Sequence, residues 1–213
     1  MITRRKLCAT ALGFLAAGTG LAGSAPPAFA QAPSNEELMQ PGPLGEQALG
    51  NAEAPVTLIE YASMTCSHCA NFAVKVYPTL KSKYVDTGKV RYILREFPLD
   101  PLAAAGFMLA RCAGDKYYDV IDALFQTQQK WAFVRDPLPQ LLAVAKQLGF
   151  TEQTFDECLA NQKVLDGIDW VRQRGAEKFG VNSTPTFFIN GTIHRGEMSL
   201  EETEKLLQPY LKT

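Results

Sequence analysis

The chain has 213 residues, 46% of them hydrophobic and 20% charged, with net charge −1 and five cysteines. That is enough length and apolar content for one well-buried domain, and far too much apolar content for a disordered protein. It is also too long and too cysteine-poor for a disulfide-dense miniprotein, and the near-zero charge offers no basic face to nucleic acid.

Arg4, Arg5 and Lys6 form a positive start, Leu7 to Leu21 is apolar and acid-free, and Ala28-Phe29-Ala30 is an A-x-A cleavage site before Gln31. This predicts a secretory signal over residues 1–30 rather than an uncleaved anchor. The apolar run is short for a bilayer span and is diluted by Gly18, Thr19 and Gly20. Thr3-Arg4-Arg5 resembles a twin-arginine signal, while the general secretory route stays open. Cys8 opens the apolar run and is expected to leave with the signal, so four cysteines and a more acidic chain remain. Export would place them in an oxidising, periplasmic compartment where all four can pair.

Residues 31–53 carry Pro33, Pro41, Pro43, Gly42, Gly45 and Gly50 among few apolar anchors and read as an irregular lead-in. Val56 to Tyr61 is β-branched and almost continuously apolar, the pattern of a strand buried on both faces. Cys66 to about Tyr84 reads as a helix capped by Thr65 and kinked at Pro78. Val90 to Leu94 is a second strand, expected parallel to the first. From Pro101 to Gly180 the spacing turns helical, over about 101–113, 116–129, 137–148, 151–161 and 163–179, with Gly149 and Gly180 as stops. Thr186–Ile189 and Thr192–Arg195 read as strands joined by an Asn190-Gly191 turn, and Ser199 to Glu202 as a capping box opening the last helix. The order is βαβ, a helical block, then ββα. Neither half of the sheet can bury its faces alone, so the expected α/β domain runs from 54 to 213 with an all-helical insertion at about 101–180.

Cys66-Ser67-His68-Cys69 follows the first strand and opens a helix. Unpaired N–H groups and the helix dipole favour an anion there, so a Cys66 thiolate is stabilised, with a cationic or hydrogen-bonding His68 adding to it. A stabilised thiolate favours the reduced form, which makes the disulfide a better oxidant. Cys69, one turn further in, is the more buried resolving thiol. Three other readings compete: a structural disulfide, half of a zinc site, and chance. Four-residue loops are uncommon staples, and no second C-x-x-C accompanies the motif, with His194 the only other histidine. Strand, helix and export signal together favour redox catalysis.

The chain here resembles the DsbA-like thiol-disulfide oxidoreductases, a thioredoxin fold (βαβ–ββα core) with an inserted helical domain. The resemblance covers about residues 50–210. It rests on Ala54-Pro55-Val56-Thr57-Leu58-Ile59-Glu60-Tyr61 leading into the cysteine motif, on Phe97-Pro98-Leu99, and on Gly180-Val181-Asn182-Ser183-Thr184-Pro185-Thr186-Phe187-Phe188. His68 matches the family pattern. Ser67 stands where the family often has proline, which leaves the redox potential open.

Glu60 lies mid-strand in an apolar run, where a carboxylate is expensive to bury unless paired or protonated. The resemblance implies a buried acid near the resolving cysteine that moves protons during exchange; the plain alternative is a strand-end glutamate facing solvent. Pro185 cannot donate to a sheet ladder, which already implies a loop that approaches something closely. The resemblance implies a cis bond after Thr184, facing the cysteine pair and offering backbone to an extended substrate. Cys112 and Cys158 fall on apolar helix faces of the insertion and are either inert core thiols or, as expected in an oxidising compartment, a structural disulfide.

Ser67-His68 lacks the context of a hydrolase dyad, since adjacent helical residues do not face each other. Met64, Phe72, Phe107, Met108 and Trp131 read as core or groove, and Lys75, Lys81, Lys83 and Lys89 as a solvated face.

The expected protein is thus a periplasmic disulfide oxidase, with no metal and no cofactor beyond the Cys66–Cys69 disulfide. Its partners would be reduced or unfolded exported proteins and, by the resemblance alone, a DsbB-type membrane quinone reductase as reoxidant. A monomer is expected, since isomerases of this fold usually carry a long N-terminal oligomerisation segment and residues 31–53 are short and rich in Pro and Gly. The rivals are an isomerase or reductase of the same fold, a non-catalytic groove-binding chaperone, and a metal-binding thioredoxin-like domain.

Overall fold

The computed structural model describes residues 34–211; the signal expected over 1–30, with Cys8, lies outside them. Among the described residues five strands form one sheet in the order β1-β3-β2-β4-β5. β2 (Val56–Ala62) and β3 (Val90–Glu96) pair in parallel, Val56 opposite Val90 through Ala62 opposite Glu96. β4 (Thr186–Ile189) runs antiparallel to β2, and β5 (Thr192–Arg195) antiparallel to β4. Asn190 at φ 44 and Gly191 at φ 87 make the turn between them, as two left-handed residues allow.

Period-2 alternation sorts the central strands onto two apolar faces. Ile59, Tyr61, Ile93 and Phe188 pack on one side with Leu38, Val171 and Phe179. Leu58, Ala62, Tyr92, Leu94 and Phe187 pack on the other with Phe72, Leu80 and Leu124. Both faces are covered, so β2 and β3 are largely apolar, and the charged side chains they bury, Glu60, Arg95 and Glu96, each have a hydrogen-bond partner. Each fully buried Phe or Leu adds about 1.5–3 kcal/mol of transfer free energy.

The second face carries α2 (Ser67–Lys75), α3 (Tyr77–Leu80) and the start of the insertion. The expected single helix from Cys66 to Tyr84 is divided. It breaks at Val76, and a π-helical turn, Lys81–Val85, follows α3. The Pro78 ring excludes the carbonyl four residues back and offers it no N–H, so the helix gives way before the proline rather than bending at it. Thr65 is not the cap either. The N-cap is Cys66 itself, and the Thr65 hydroxyl donates to Asp100 Oδ2 at 2.5 Å.

The insertion follows the expected order: α4 (Pro101–Cys112), α5 (Tyr117–Gln126), α6 (Gln128–Trp131), α7 (Pro137–Gln147), α8 (Glu152–Leu159) and α9 (Gln162–Phe179). The helix expected over 116–129 is split at Thr127, whose hydroxyl donates back to the Ala123 carbonyl at 2.6 Å. α9 returns along the first sheet face, where Gly175 lets it approach closely: a Cβ there would lie 2.7 Å from the Tyr61 ring. Gly180, at φ 65, ends α9, and the last helix, α10 (Leu200–Leu211), opens on the Ser199–Glu202 box.

The described part of the lead-in is more regular than expected. It forms α1 (Asn35–Met39) and a two-residue strand, β1 (Ala48–Leu49), antiparallel to β3. Leu38 is buried beneath it, and Glu46 takes two hydrogen bonds from the buried Arg95 guanidinium, at 2.6 and 3.3 Å. Long-range anchors hold this segment, so its Pro and Gly content misleads.

Candidate active site

β2 ends at Ala62 and the chain turns directly into α2, which puts Cys66 at the helix N-terminus. Ordinary N-cap residues offer a side-chain oxygen to the N–H groups two and three residues on. Cys66 makes no such side-chain cap bond, and its thiol donates to the Thr184 carbonyl instead. The backbone N–H groups of Cys69 and His68 face Cys66 Sγ and favour its thiolate. Together with a hydrogen bond from the Cys69 thiol, the largest influence, they bring Cys66 down from 9.0 to about 5 against its partial burial.

Cys69 is driven the other way. Burial comes first, then the hydrogen bond that its thiol gives to Cys66 and the negative charges of Glu60 and Cys66, and all four push it well above 9.0. Both cysteines are unbridged, so the structure shows the dithiol form. His68 is exposed and acts on the sulfur through its backbone N–H rather than through its ring.

Pro185 brings the start of β4 over the pair, and the Thr184–Pro185 peptide bond is cis. Cys66 Sγ lies 3.3 Å from the Thr184 carbonyl, to which the thiol donates. The Thr184 hydroxyl is buried with no hydrogen-bond partner among the described residues, and toward the ionised sulfur it is a donor that lowers the Cys66 pKa. The carbonyl suits the thiol and the hydroxyl suits the thiolate, so Thr184 serves both forms of one sulfur.

Glu60 is 2% exposed and does not face solvent. It sits on the α2 side of β2, opposite Leu94 and Phe187, and accepts a hydrogen bond from the Tyr92 hydroxyl at 2.6 Å. Burial pushes it up from 4.5 to about 8, with the Tyr92 bond opposing and the Cys66 charge adding. Cys66, Cys69, His68, Glu60, Thr184 and Pro185 therefore come together at one end of the sheet.

A family model described as "Thioredoxin" matches residues 44–209. The crystal structure of alpha-DsbA1 from Wolbachia pipientis superposes with a TM-score of 0.77 at 31% identity, covering 84% of this chain and 96% of that one. The chain belongs to the DsbA-like branch of the thioredoxin family. A Rickettsia felis protein named "Putative protein-disulfide oxidoreductase" is 31% identical over 158 residues, which are 73% of this chain and 56% of that protein. The chain thus spans little more than half the length of the Rickettsia relatives it matches. Oxidised BdbD from Bacillus subtilis shares the fold, with a TM-score of 0.69 at 19% identity, covering 85% of this chain and 97% of that one.

In this DsbA-like chain the other two cysteines among the described residues lie apart from the site, in the insertion. Cys112 and Cys158 are bridged, joining the ends of α4 and α8. Cys158 is buried, whereas Cys112 is exposed rather than apolar-facing as its helix pattern predicts. Met64, Phe72, Phe107, Met108 and Trp131 are all buried. Of the lysines read as a solvated face, Lys81 pairs with Asp86 and Lys83 with Glu204 at the surface.

Three residues of the site were not singled out from sequence. Asp100 joins Thr65 to α4, since its Oδ1 caps the Ala103 N–H at 2.8 Å while Oδ2 holds the Thr65 hydroxyl. Gln128, 2% exposed, donates through Nε2 to the carbonyls of Met64 at 2.8 Å and Cys66 at 3.0 Å. Tyr92 was legible in principle: the parallel register sets it opposite Leu58, one step from Glu60 on the same face. Nothing local marks Asp100 or Gln128.

Proposed function

We propose that the protein is a thiol:disulfide oxidoreductase that passes a disulfide from its Cys66–Cys69 pair to exported proteins. The opposed shifts of the two thiols carry this reading, with Cys66 brought down to about 5 and Cys69 pushed well above its ordinary value. A pair built this way keeps Cys66 as a good leaving group and Cys69 as a protonated, sheltered partner.

In the oxidised protein a substrate thiolate attacks Cys66 Sγ. The Cys66–Cys69 bond breaks, and Cys69 leaves as a thiolate and takes a proton. A second substrate thiolate then attacks the substrate sulfur of the mixed disulfide, which releases Cys66 as a thiolate. Two electrons have moved to the protein and the substrate has gained one S–S bond. Of the two substrate protons, one rests on Cys69 and one has gone to solvent.

Glu60, whose charge acts on Cys69, gives and takes the proton of the resolving sulfur, and the His68 N–H group helps hold the Cys66 thiolate. The segment at Thr184 and Pro185 presents backbone to an extended substrate, in the manner of an added strand. The Cys112–Cys158 bridge is structural. No metal or organic cofactor takes part, because the disulfide itself carries the electrons. The signal expected over residues 1–30 supports a periplasmic location. A quinone-linked DsbB-type membrane protein as reoxidant follows from the family alone, and the working form is a monomer.

Redox titration of the mature protein in glutathione buffers, trapping Cys66 and Cys69 by alkylation, tests this reading. A midpoint far above thioredoxin's value of about −270 mV is expected. A midpoint near that value would assign the protein to reduction or isomerisation instead.

A further inference from the structure

As donor and acceptor for Cys69, Glu60 must trade its proton with solvent from a carboxyl that is 2% exposed. A cavity of about 10 Å³ adjoins it, lined by Glu60 and Tyr92 from the sheet, Tyr77 from α3 and Asp122 from α5. That is about the room a single water requires, and such a water needs two or more polar partners. Tyr77 is 5% exposed, and its hydroxyl is buried with no hydrogen-bond partner among the described residues. The Tyr92 hydroxyl is already committed to Glu60. Asp122 is half-buried, so it borders both the cavity and solvent.

We propose that Asp122, acting through Tyr77 and one water in this cavity, is the exit by which the Glu60 carboxyl returns its proton to solvent. This rests on the exchange reading of Cys66 and Cys69 and supplies the step that lets Glu60 turn over. When Cys69 attacks a mixed disulfide at Cys66, the Cys69 S–H proton passes to the Glu60 carboxylate. The Cys66–Cys69 bond forms, and the partner sulfur leaves as a thiolate. Glu60 then gives its proton to the water and hydroxyl chain, the far end of that chain protonates the Asp122 carboxylate, and Asp122 releases it to bulk. No electrons move along this path.

Transfer from Glu60, near 8, to Asp122, near 6, is uphill, and release from Asp122 to bulk water draws it on. Oxidation removes the Cys66 charge, which is one of the influences holding Glu60 up near 8. Asp122 is raised to about 6 by burial and by Asp119, with Lys81 opposing, so at neutral pH it is mostly ionised and ready to accept. Burial first, then the charges of Asp122, Glu60 and Asp86, push the Tyr77 hydroxyl up and keep it neutral, as a relay hydroxyl must be. Tyr92 and Cys66 are the groups that act on Glu60 itself.

Stopped-flow reaction of the reduced protein with excess dithiobis(nitrobenzoate) tests the route. Two thionitrobenzoate ions leave in turn. The first is released when Cys66 attacks the reagent, at a rate set by reagent concentration. The second is released when Cys69 attacks the mixed disulfide, at a rate independent of it. Asp122→Asn and Tyr77→Phe are each expected to slow the second release about fivefold or more. The first release is the internal reference for folding and for Cys66. In the wild type the second rate falls as pH drops through about 8, where Glu60 takes up a proton, and falls along a second limb through about 6, where Asp122 does. Asp122→Asn loses that limb and Asp122→Glu restores it.

A second release in Asp122→Asn within about twofold of wild type, with the acid limb intact, overturns the proposal. If Glu60→Gln slows that step while Asp122→Asn does not, the exit is wrong and the exchange reading stands. If the wild type releases only one thionitrobenzoate, the exchange reading itself fails and takes the exit with it.

Discussion

Two cysteine pairs share this chain, and they sit at opposite ends of helices. Cys66 caps the N-terminus of α2, where free N–H groups and the positive end of the dipole meet its sulfur. Cys112 is the last residue of α4, and Cys158 the last but one of α8, where carbonyls gather and an anion is disfavoured. A disulfide is readily opened when one of its sulfurs leaves as a stable thiolate. Cys66 meets that condition and neither half of the Cys112–Cys158 bridge does. Helix polarity thus separates the pair proposed to exchange from the pair proposed to be structural, adding to the larger influence of the Cys69 thiol on Cys66.

Removing each pair sharpens the contrast most. Cys66→Ala is expected to abolish exchange with a thiol peptide, because it removes the sulfur that lies at the Thr184 carbonyl. The double variant Cys112→Ala/Cys158→Ala should keep the exchange rate while unfolding at lower denaturant. Its bridge closes a separation of 46 residues, for which chain entropy allows about 4 kcal/mol. If the double variant loses exchange while staying folded, the bridge is not merely structural and helix polarity does not separate the pairs.

Glu60→Gln comes next and moves stability and rate in opposite directions. Below its ordinary value of 4.5, Glu60 is protonated folded or unfolded and burial costs nothing electrostatic. As pH rises from 4.5 to about 8 the unfolded chain ionises while the folded reduced protein holds the proton, so folding weakens across that window. Glutamine removes this cost, and the reduced variant should be more stable by on the order of 3 kcal/mol near pH 7, with no gain below pH 4.5. Its Cys69 step should slow by about a hundredfold. Denaturant titrations at two pH values check the first expectation, and the second thionitrobenzoate release checks the other.

Thr184→Val has a smaller effect, confined to the reactive pair. It removes the hydroxyl that favours the Cys66 thiolate but keeps the carbonyl that suits the thiol. The Cys66 pKa should rise by about one unit, equivalent to about 30 mV toward a more reducing midpoint. The depressed Cys66 value stabilises the reduced protein above the unfolded value of 9.0, and this advantage is lost as pH falls through about 5. In Thr184→Val the loss should be complete at higher pH, as thiolate absorbance against pH will register.

The reactive pair was legible in the sequence because its causes are local. A doubly buried strand, a four-residue motif and a helix start are consecutive, and each leaves its own pattern. Helix polarity at Cys66 follows from the same stretch. Glu60 was legible as a problem, a carboxyl in an apolar run, and its solution at Tyr92 needed only the register. The break at Val76 is not legible, because Pro78 marks a disturbed helix without fixing the residue at which it is interrupted. β1 was missed because two residues carry no periodicity and their pairing with β3 is long-range. Asp100 and Gln128 reach the motif across 35 and 62 residues of chain, a proximity that only packing of the insertion creates.

Gln128 carries the smallest expected effect and tests whether the insertion shapes the reactive site or only shelters it. Its amide binds the carbonyls of Met64 and Cys66, so α6 holds the chain on both sides of Thr65. The Cys66 carbonyl also accepts from the Ala70 N–H at 3.1 Å, so it stays paired when the glutamine is lost. The Gln128 Oε1 atom has no partner among the described residues, and an apolar replacement relieves that cost. Gln128→Met fills nearly the same volume, so the net loss of stability should be about 1 kcal/mol, below a simple count of two hydrogen bonds. If the clamp sets where Cys66 Sγ lies relative to the Cys69 and His68 N–H groups, the thiolate pKa rises by a few tenths of a unit as well. If stability falls and the thiolate titration does not move, helix α2 positions the sulfur alone and the insertion acts as a cover.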